Sequence, residues 1–493
     1  MSATHPLGER IRHVLALQPD GPAIEYEDSW CSWGQVAEFA DRIEELTGPG
    51  LQVGVLLRNR PTHVATLLGL MMAGATLVVI NPSRGDERTR ADIAALELPM
   101  LIGAPDDVAA LVAPSPHTTV VTITELDEPP VRSPASAPTA NPERDGVAIR
   151  MLTSGTTGPP KRVDLTYDML ARSVIGVDPT GSPAPTEVRR GVAIVNAPLV
   201  HIGGVFRVLQ CVVEARSFVL LARFELDRWA AAVRAHQPRA VSLVPAALRM
   251  VLHSELTRDD LSSIRAVTSG TAPLAADDAD AFTAKFGIPV LTSYAATEFG
   301  GGVAGWSLAD YQEFGPAKRG SVGRATLGAA LRVVAEDGTV LDPDQPGLLE
   351  VKPGQLGPSV DWIRTTDLAR IDADGFLWIL GRADQAIIRG GFKVMPEDVR
   401  AALELHPAVL GAAVVGRADE RLGETPVAMV ELRTGASVDV EELKDHLRSR
   451  LAKYEIPTEL SVVGQLPRTP SGKADLTAVR RHFAEHVPQG DRG

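Results

Sequence analysis

Cysteine is almost missing from this chain: Cys31 and Cys211 are the only two in 493 residues. Two thiols this far apart supply neither a disulfide framework nor the clustered ligands of a zinc site, and a reducing, cytoplasmic setting is expected. Positive charge is also in deficit. With 49 Lys and Arg against 62 Asp and Glu, the formal net charge is -13. That balance excludes a general affinity for nucleic acid or anionic membrane, while leaving room for a locally basic site that takes a small anion. The opening "MSATHPLGERIRHVLALQPDG" has no continuous signal-peptide core. The longest apolar run, "VATLLGLMMAGATLVVINPS", is broken by Gly74. It reads as a helix over 62–72 followed by the strand "TLVVI", so no membrane span is expected.

What is present is an ordinary globular balance, 44% hydrophobic and 23% charged, in a chain too long for one core. Short β-branched runs ("QVGVLL", "TLVVI", "MLIGA", "TTVVTI", "GVAIVNA", "SFVLL", "AVSLVP", "IRAVTSG", "PVLTSYA") alternate with helix-patterned stretches such as "LDRWAAAVRAHQP" and "ADDADAFTAKFG". This alternation predicts an α/β protein with largely parallel sheets and ligands at the strand ends. The Pro-rich stretches "EPPVRSPASAPTANPERDG" and "DPTGSPAPTEVRRG" read as exposed connections. From about residue 320 short strands and turns suggest a small antiparallel subdomain. After Arg382 a helix, two strands and a helix read as a separate C-terminal domain.

Five strings carry chemistry. "LTSGTTGPPKRV" packs hydroxyls and glycines around Lys161, as a phosphate cradle would. It lacks the Gly-Lys-Ser/Thr ending of the P-loop, and taken alone it reads equally as a surface turn. "SYAATE" ends a strand in Tyr294, offering a flat face to a purine, with Glu298 as a carboxylate for magnesium. Asp367 in "RTTDLARID" and Arg382 in "LGRADQAIIRGGF" suit a ribose and a phosphate. "PRTPSGKADL" sets Lys473 in a Pro/Ser/Gly loop.

In this order and over nearly the whole length, the strings resemble those of the adenylate-forming ligases: acyl-CoA synthetases, peptide-synthetase adenylation domains and luciferase. That resemblance implies a large N-terminal domain (1–382) of two mainly parallel αβ-layered sheets plus a small β subdomain, then a small mobile α+β domain (383–493) carrying Lys473. It implies ATP, Mg2+ and coenzyme A as cofactors and a small carboxylic acid as substrate. By the family's pattern Thr153, Ser154, Gly155, Thr156, Thr157, Gly158 and Lys161 handle the β- and γ-phosphates. Ser269, Gly270, Thr271 and Ala272 frame adenine with Tyr294. Thr297 and Glu298 meet the α-phosphate and metal, Asp367 and Arg382 hold the ribose, and Lys473 reaches the α-phosphate and the substrate carboxylate. Asp384 matches a hinge, and Gly390 and Gly391 leave space for a pantetheine arm, although a Gly pair also makes a plain turn.

Among family members, "NAPLVHIGGVF" lacks the aspartate that pairs with an amino-acid substrate and has His201 instead. The resemblance is therefore strongest to acyl- and aryl-CoA ligases. Gly203, Val205, Phe206, Val244, Gly270, Ala295 and Phe299, with His201, are the expected acyl-pocket residues, and the glycines favour a bulky hydrophobic acid. An adenylate-only enzyme serving a carrier protein is the alternative, and a homodimer is left open. Three positions depart from the pattern: Arg162, Ala295 and Thr271, each where glycine is usual. Arg162 either touches phosphate or points to solvent; Ala295 and Thr271 work against a wide pocket.

Overall fold

The computed structural model describes residues 5–137, 144–152, 161–326, 328–389, 392–419, 421–469 and 472–485. The fold is mixed α/β, and the expected strands form. Gln52–Leu56 and Thr76–Ile80 are buried at every position, as suits central parallel strands covered on both faces. They sit in a seven-stranded sheet with Met100–Gly103, Thr119–Thr122 and Val147–Leu152 in parallel; Val131–Ser133 and Arg162–Thr166 are antiparallel edges. The helix between the two central strands, Pro61–Ala73, has every residue buried and ends at Gly74 with φ 70°, a left-handed cap. The apolar run is therefore core, and among the described residues no helix is long and apolar enough to cross a membrane.

Two further sheets, where the resemblance implies one, make the second layer. One orders Arg189–Val195, Arg216–Leu220, Pro22–Tyr26 and Ser29–Ser32. The other runs Ala240–Ser242, Ala266–Ser269 and Val290–Ala296 in parallel, then Gly301–Gly305 and Arg324–Ala325 antiparallel. Their edge strands Arg189–Val195 and Ala240–Ser242 lie against each other without joining into one ladder. Next come the antiparallel strands Ala330–Val334, Gly347–Lys352, Ile363–Ile371 and Leu377–Arg382.

From Ile387 onward a five-stranded sheet carries its own two hydrophobic clusters, one under the helices Pro396–Glu404 and Val440–Arg448, the other under Leu476–Glu485. Sequence patterning finds the first two helices and the strands Val409–Asp419 and Gly423–Leu432. It misses the strand Glu459–Val463, which joins in parallel, and the last helix.

Candidate active site

The carboxyl end of the strand Val290–Ala296, which runs parallel to Ala266–Ser269, meets the antiparallel hairpin Ile363–Ile371/Leu377–Arg382, and a cavity of about 240 Å3 opens there. Tyr294, Glu298, Phe299, Asp367 and Arg382 line it together with Arg364, Thr365 and Thr366. Hairpin register sets Asp367 directly opposite Arg382. The Tyr294 hydroxyl donates to Asp367 Oδ2, which ties the strand end to the hairpin. A bulge between Tyr294 and Ala295 re-aims the chain into the short 3-10 turn Thr297–Phe299 and leaves Glu298 exposed. Thr365 and Thr366 went unremarked in the sequence although they stand in the same "RTTD" string. Thr365 Oγ1 accepts the Asp367 N–H (3.1 Å), and Thr366 Oγ1 accepts from Arg382 (2.7 Å).

Charges converge on this cavity. Burial raises the Asp367 carboxyl pKa although Tyr294 donates to it. Burial, then Asp367 itself, pushes the Tyr294 hydroxyl pKa up, so Tyr294 is a donor and not a base. For Arg382, burial works against the charge, but the paired Asp384 (2.7 and 2.9 Å) and Asp367 outweigh it and raise its pKa. Lys473 arrives from the small unit. Its carbonyl accepts from Thr469 N–H at 2.7 Å, closing the loop that carries it. Enclosure lowers its pKa; Arg382 adds to that effect, while Glu298 and Asp367 oppose it. Much of the Lys473 surface is open to solvent, so this is the enclosure of a cleft rim. Ser269 is 2% exposed, and among the described residues its hydroxyl has no hydrogen-bond partner. Gly270 lies against Ser293, and Thr271 holds φ 71°.

The residues fit a magnesium nucleotide. Among the described residues no three His, Cys, Asp or Glu side chains gather into a metal cluster. A lone carboxylate such as Glu298 suits Mg2+, which keeps waters and takes phosphate oxygens. Arg382 supplies positive charge in the same cavity.

On the acyl side, His201 stands at the N-cap of the helix Ile202–Val213, half-buried, with its carbonyl accepting from Gly204 N–H (3.0 Å). The expected pocket residues divide. A side chain at Gly203 would meet nothing within 4 Å, whereas one at Gly204 would strike the Pro198 carbonyl at 2.2 Å. Gly300 and Gly301 carry φ 72° and 147°, so turn geometry accounts for them. Phe206 abuts Gly301, and Phe299 lines the cavity. Val205 has no exposed surface and packs in the main core. Val244 is partly buried against the second core cluster, and Ala295 is exposed opposite Gly302.

Arg162 is a correction. It does not face solvent: its guanidinium binds Asp92 (2.6 Å) and the Val79 carbonyl (3.0 Å), fastening the edge strand to the sheet. Lys161 is exposed. Thr153, Ser154, Gly155, Thr156, Thr157 and Gly158, like Gly390 and Gly391, lie outside the described residues.

Comparison with known proteins gives a consistent picture. The family model for AMP-binding enzyme matches residues 11–358, and that for the AMP-binding enzyme C-terminal domain matches 398–473. The indoleacetate–CoA ligase of Aromatoleum aromaticum is 29% identical, with 97% of this chain and 98% of that protein covered. The feruloyl-CoA synthase of an Amycolatopsis species is 30% identical, with 96% of each covered. Among solved structures, ATP-bound MatB from Rhodopseudomonas palustris superposes with a TM-score of 0.81 at 26% identity, covering 97% of this chain and 99% of that one.

Proposed function

Because the chain belongs to the AMP-binding enzyme family, we propose that it joins a carboxylic acid to ATP, giving acyl-AMP and pyrophosphate, and then passes the acyl group to the thiol of coenzyme A. The observation that carries this reading is the convergence of Tyr294, Asp367, Arg382 and Glu298 on one cavity, whose Arg382, Glu298 and Asp367 also act on the Lys473 pKa. Tyr294 and the Ser269–Ala272 turn bracket adenine, Asp367 and Arg382 hold the ribose, and Thr297 and Glu298 face the α-phosphate and metal. The 153–161 segment takes the leaving pyrophosphate.

A carboxylic acid with pKa about 4–5 is already ionised near neutrality, so attack on the α-phosphorus needs no general base. The barrier is electrostatic: an anion approaches a triphosphate, and charge grows on the α-phosphoryl oxygens and the departing pyrophosphate. The Lys473 ammonium neutralises that charge. Magnesium, when bound, supplies the same service to the phosphates. In the second step the thiol of coenzyme A, pKa about 8.5, attacks the acyl carbon and AMP leaves. Asp384 is the pivot on which the residues after 382 turn to admit it.

The acid is bulky and hydrophobic. The open space at Gly203 supports this, as do relatives named for indoleacetate and ferulate. The cytoplasm, with its ATP and coenzyme A, is the setting we assign. Pyrophosphate exchange over acetate, propionate, a long-chain fatty acid, indoleacetate and ferulate, repeated with coenzyme A and mass detection, tests the reading. Exchange and thioester with the large acids are expected. Preference for acetate or propionate overturns the bulky-acid assignment, and exchange without thioester favours transfer to a carrier protein.

A further inference from the structure

Outside the cavity, a cluster of charged side chains joins the two parts of the molecule. Arg249, on the helix Pro245–Leu252, donates through Nε to Asp278 (2.6 Å) and through Nη2 to Glu404 Oε2 (2.9 Å). Asp278 belongs to the large part, on the helix Ala276–Phe286; Glu404 is the last residue of the helix Pro396–Glu404 in the small part. Glu404 is 7% exposed on its side chain and sits at the negative end of its helix dipole, a poor place for a buried carboxylate. Within its own unit it is compensated by Arg400 (2.5 Å) and the Ala412 N–H (3.3 Å). The other end of this helix also touches the large part: a side chain at Gly381 would lie 2.8 Å from Met395, the N-cap residue.

Each partner of the cross-link thus has a resident counter-ion, Asp278 for Arg249 and Arg400 for Glu404. The Arg249–Glu404 bond breaks without stranding a buried charge on either side, as a reversible contact requires. It also exists in the same arrangement of the two parts in which Arg382, Glu298 and Asp367 act on the Lys473 pKa.

We propose that Arg249 and Glu404 are positioning residues for adenylate formation: their bridge clamps the small unit with Lys473 over the nucleotide cavity and must open before the thiol step. The proposal rests on the ligase reading above. Neither residue touches substrate, so breaking the bridge lowers the rate of the first half-reaction without changing nucleotide affinity and spares the second.

The test compares wild type, Arg249→Gln, Glu404→Gln and Arg249→Lys by pyrophosphate exchange and by thioester formation from supplied acyl-adenylate. Arg249→Gln is expected to lower kcat of exchange about tenfold with KM for ATP unchanged. Thioester formation from the adenylate should hold or rise. Glu404→Gln, which keeps the side-chain shape, should give the same split, and Arg249→Lys should recover much of the lost rate. An active wild type whose Arg249→Gln and Glu404→Gln variants lose both half-reactions by the same factor, or neither, overturns the clamp alone. A wild type inactive in both half-reactions overturns the ligase reading and the clamp with it.

Discussion

Thr271 holds φ 71° in the turn that follows the strand Ala266–Ser269, a left-handed conformation unfavourable to a β-branched residue. Replacing it with glycine removes about 1–2 kcal/mol of backbone strain and adds somewhat less in unfolded-chain entropy. Thr271→Gly should therefore stabilise the protein by about 0.5–1 kcal/mol in denaturant unfolding. A loss would mean that Thr271 makes contacts worth more than its strain. Arg162 makes the opposite case. Arg162→Met strands Asp92 and the Val79 carbonyl, so a loss of about 1–3 kcal/mol is expected, with KM for ATP unchanged. A severalfold rise in that KM would restore the phosphate reading. These two residues mark the limit of what the sequence made legible at this scale. Tyr294, Asp367 and Arg382 could be read from compact strings in a fixed order, and the hairpin register then brought Asp367 and Arg382 face to face. The job of Arg162 depends on Asp92, 70 residues away, which no local string encodes.

At the scale of elements, the helix Pro61–Ala73 shows how burial reshapes titration. His63 has no exposed surface, and its Nδ1 accepts the Arg58 N–H (3.3 Å). Burial first, then Arg60, lowers its pKa from 6.5 to about 3. The unfolded chain takes the proton below pH 6.5 while the folded one refuses it. Stability is therefore intact above that pH and falls with acid, by up to about 1.4 kcal/mol per pH unit, until the folded group titrates. Denaturant unfolding at pH 7, 6 and 5 should show a shallower acid decline for His63→Gln than for wild type; equal slopes would contradict the assignment. The first turn of the helix Ile202–Val213 gives a second expectation. Gly203→Leu should cut kcat/KM for a ferulate-sized acid about tenfold or more and spare acetate. Equal losses for both acids would remove Gly203 from the pocket. Central strands were legible because they are continuous apolar runs. Glu459–Val463 was not, since it is a short, half-exposed strand whose place is set by its pairing with Gly423–Leu432. Nor could local patterning tell that the second layer divides into two sheets, because that depends on whether two distant edge strands form a ladder.

At the scale of the whole molecule, the cavity and the clamp belong to one account. On the proposed reading, the large part builds the nucleotide site from a strand end and a hairpin, and the small part delivers the Lys473 ammonium to it. On the same reading, its loop, the helix that meets Gly381 at one end and the Arg249 bridge at the other hold Lys473 there. Alternation between the two half-reactions then amounts to placing and withdrawing that charge. The most direct test is Lys473→Ala assayed in both half-reactions, pyrophosphate exchange and thioester formation from supplied acyl-adenylate. Loss of one preorganised donor predicts a fall of roughly 10²–10³ in adenylate formation, with thioester formation near the wild-type rate. Equal losses in the two half-reactions would contradict the account.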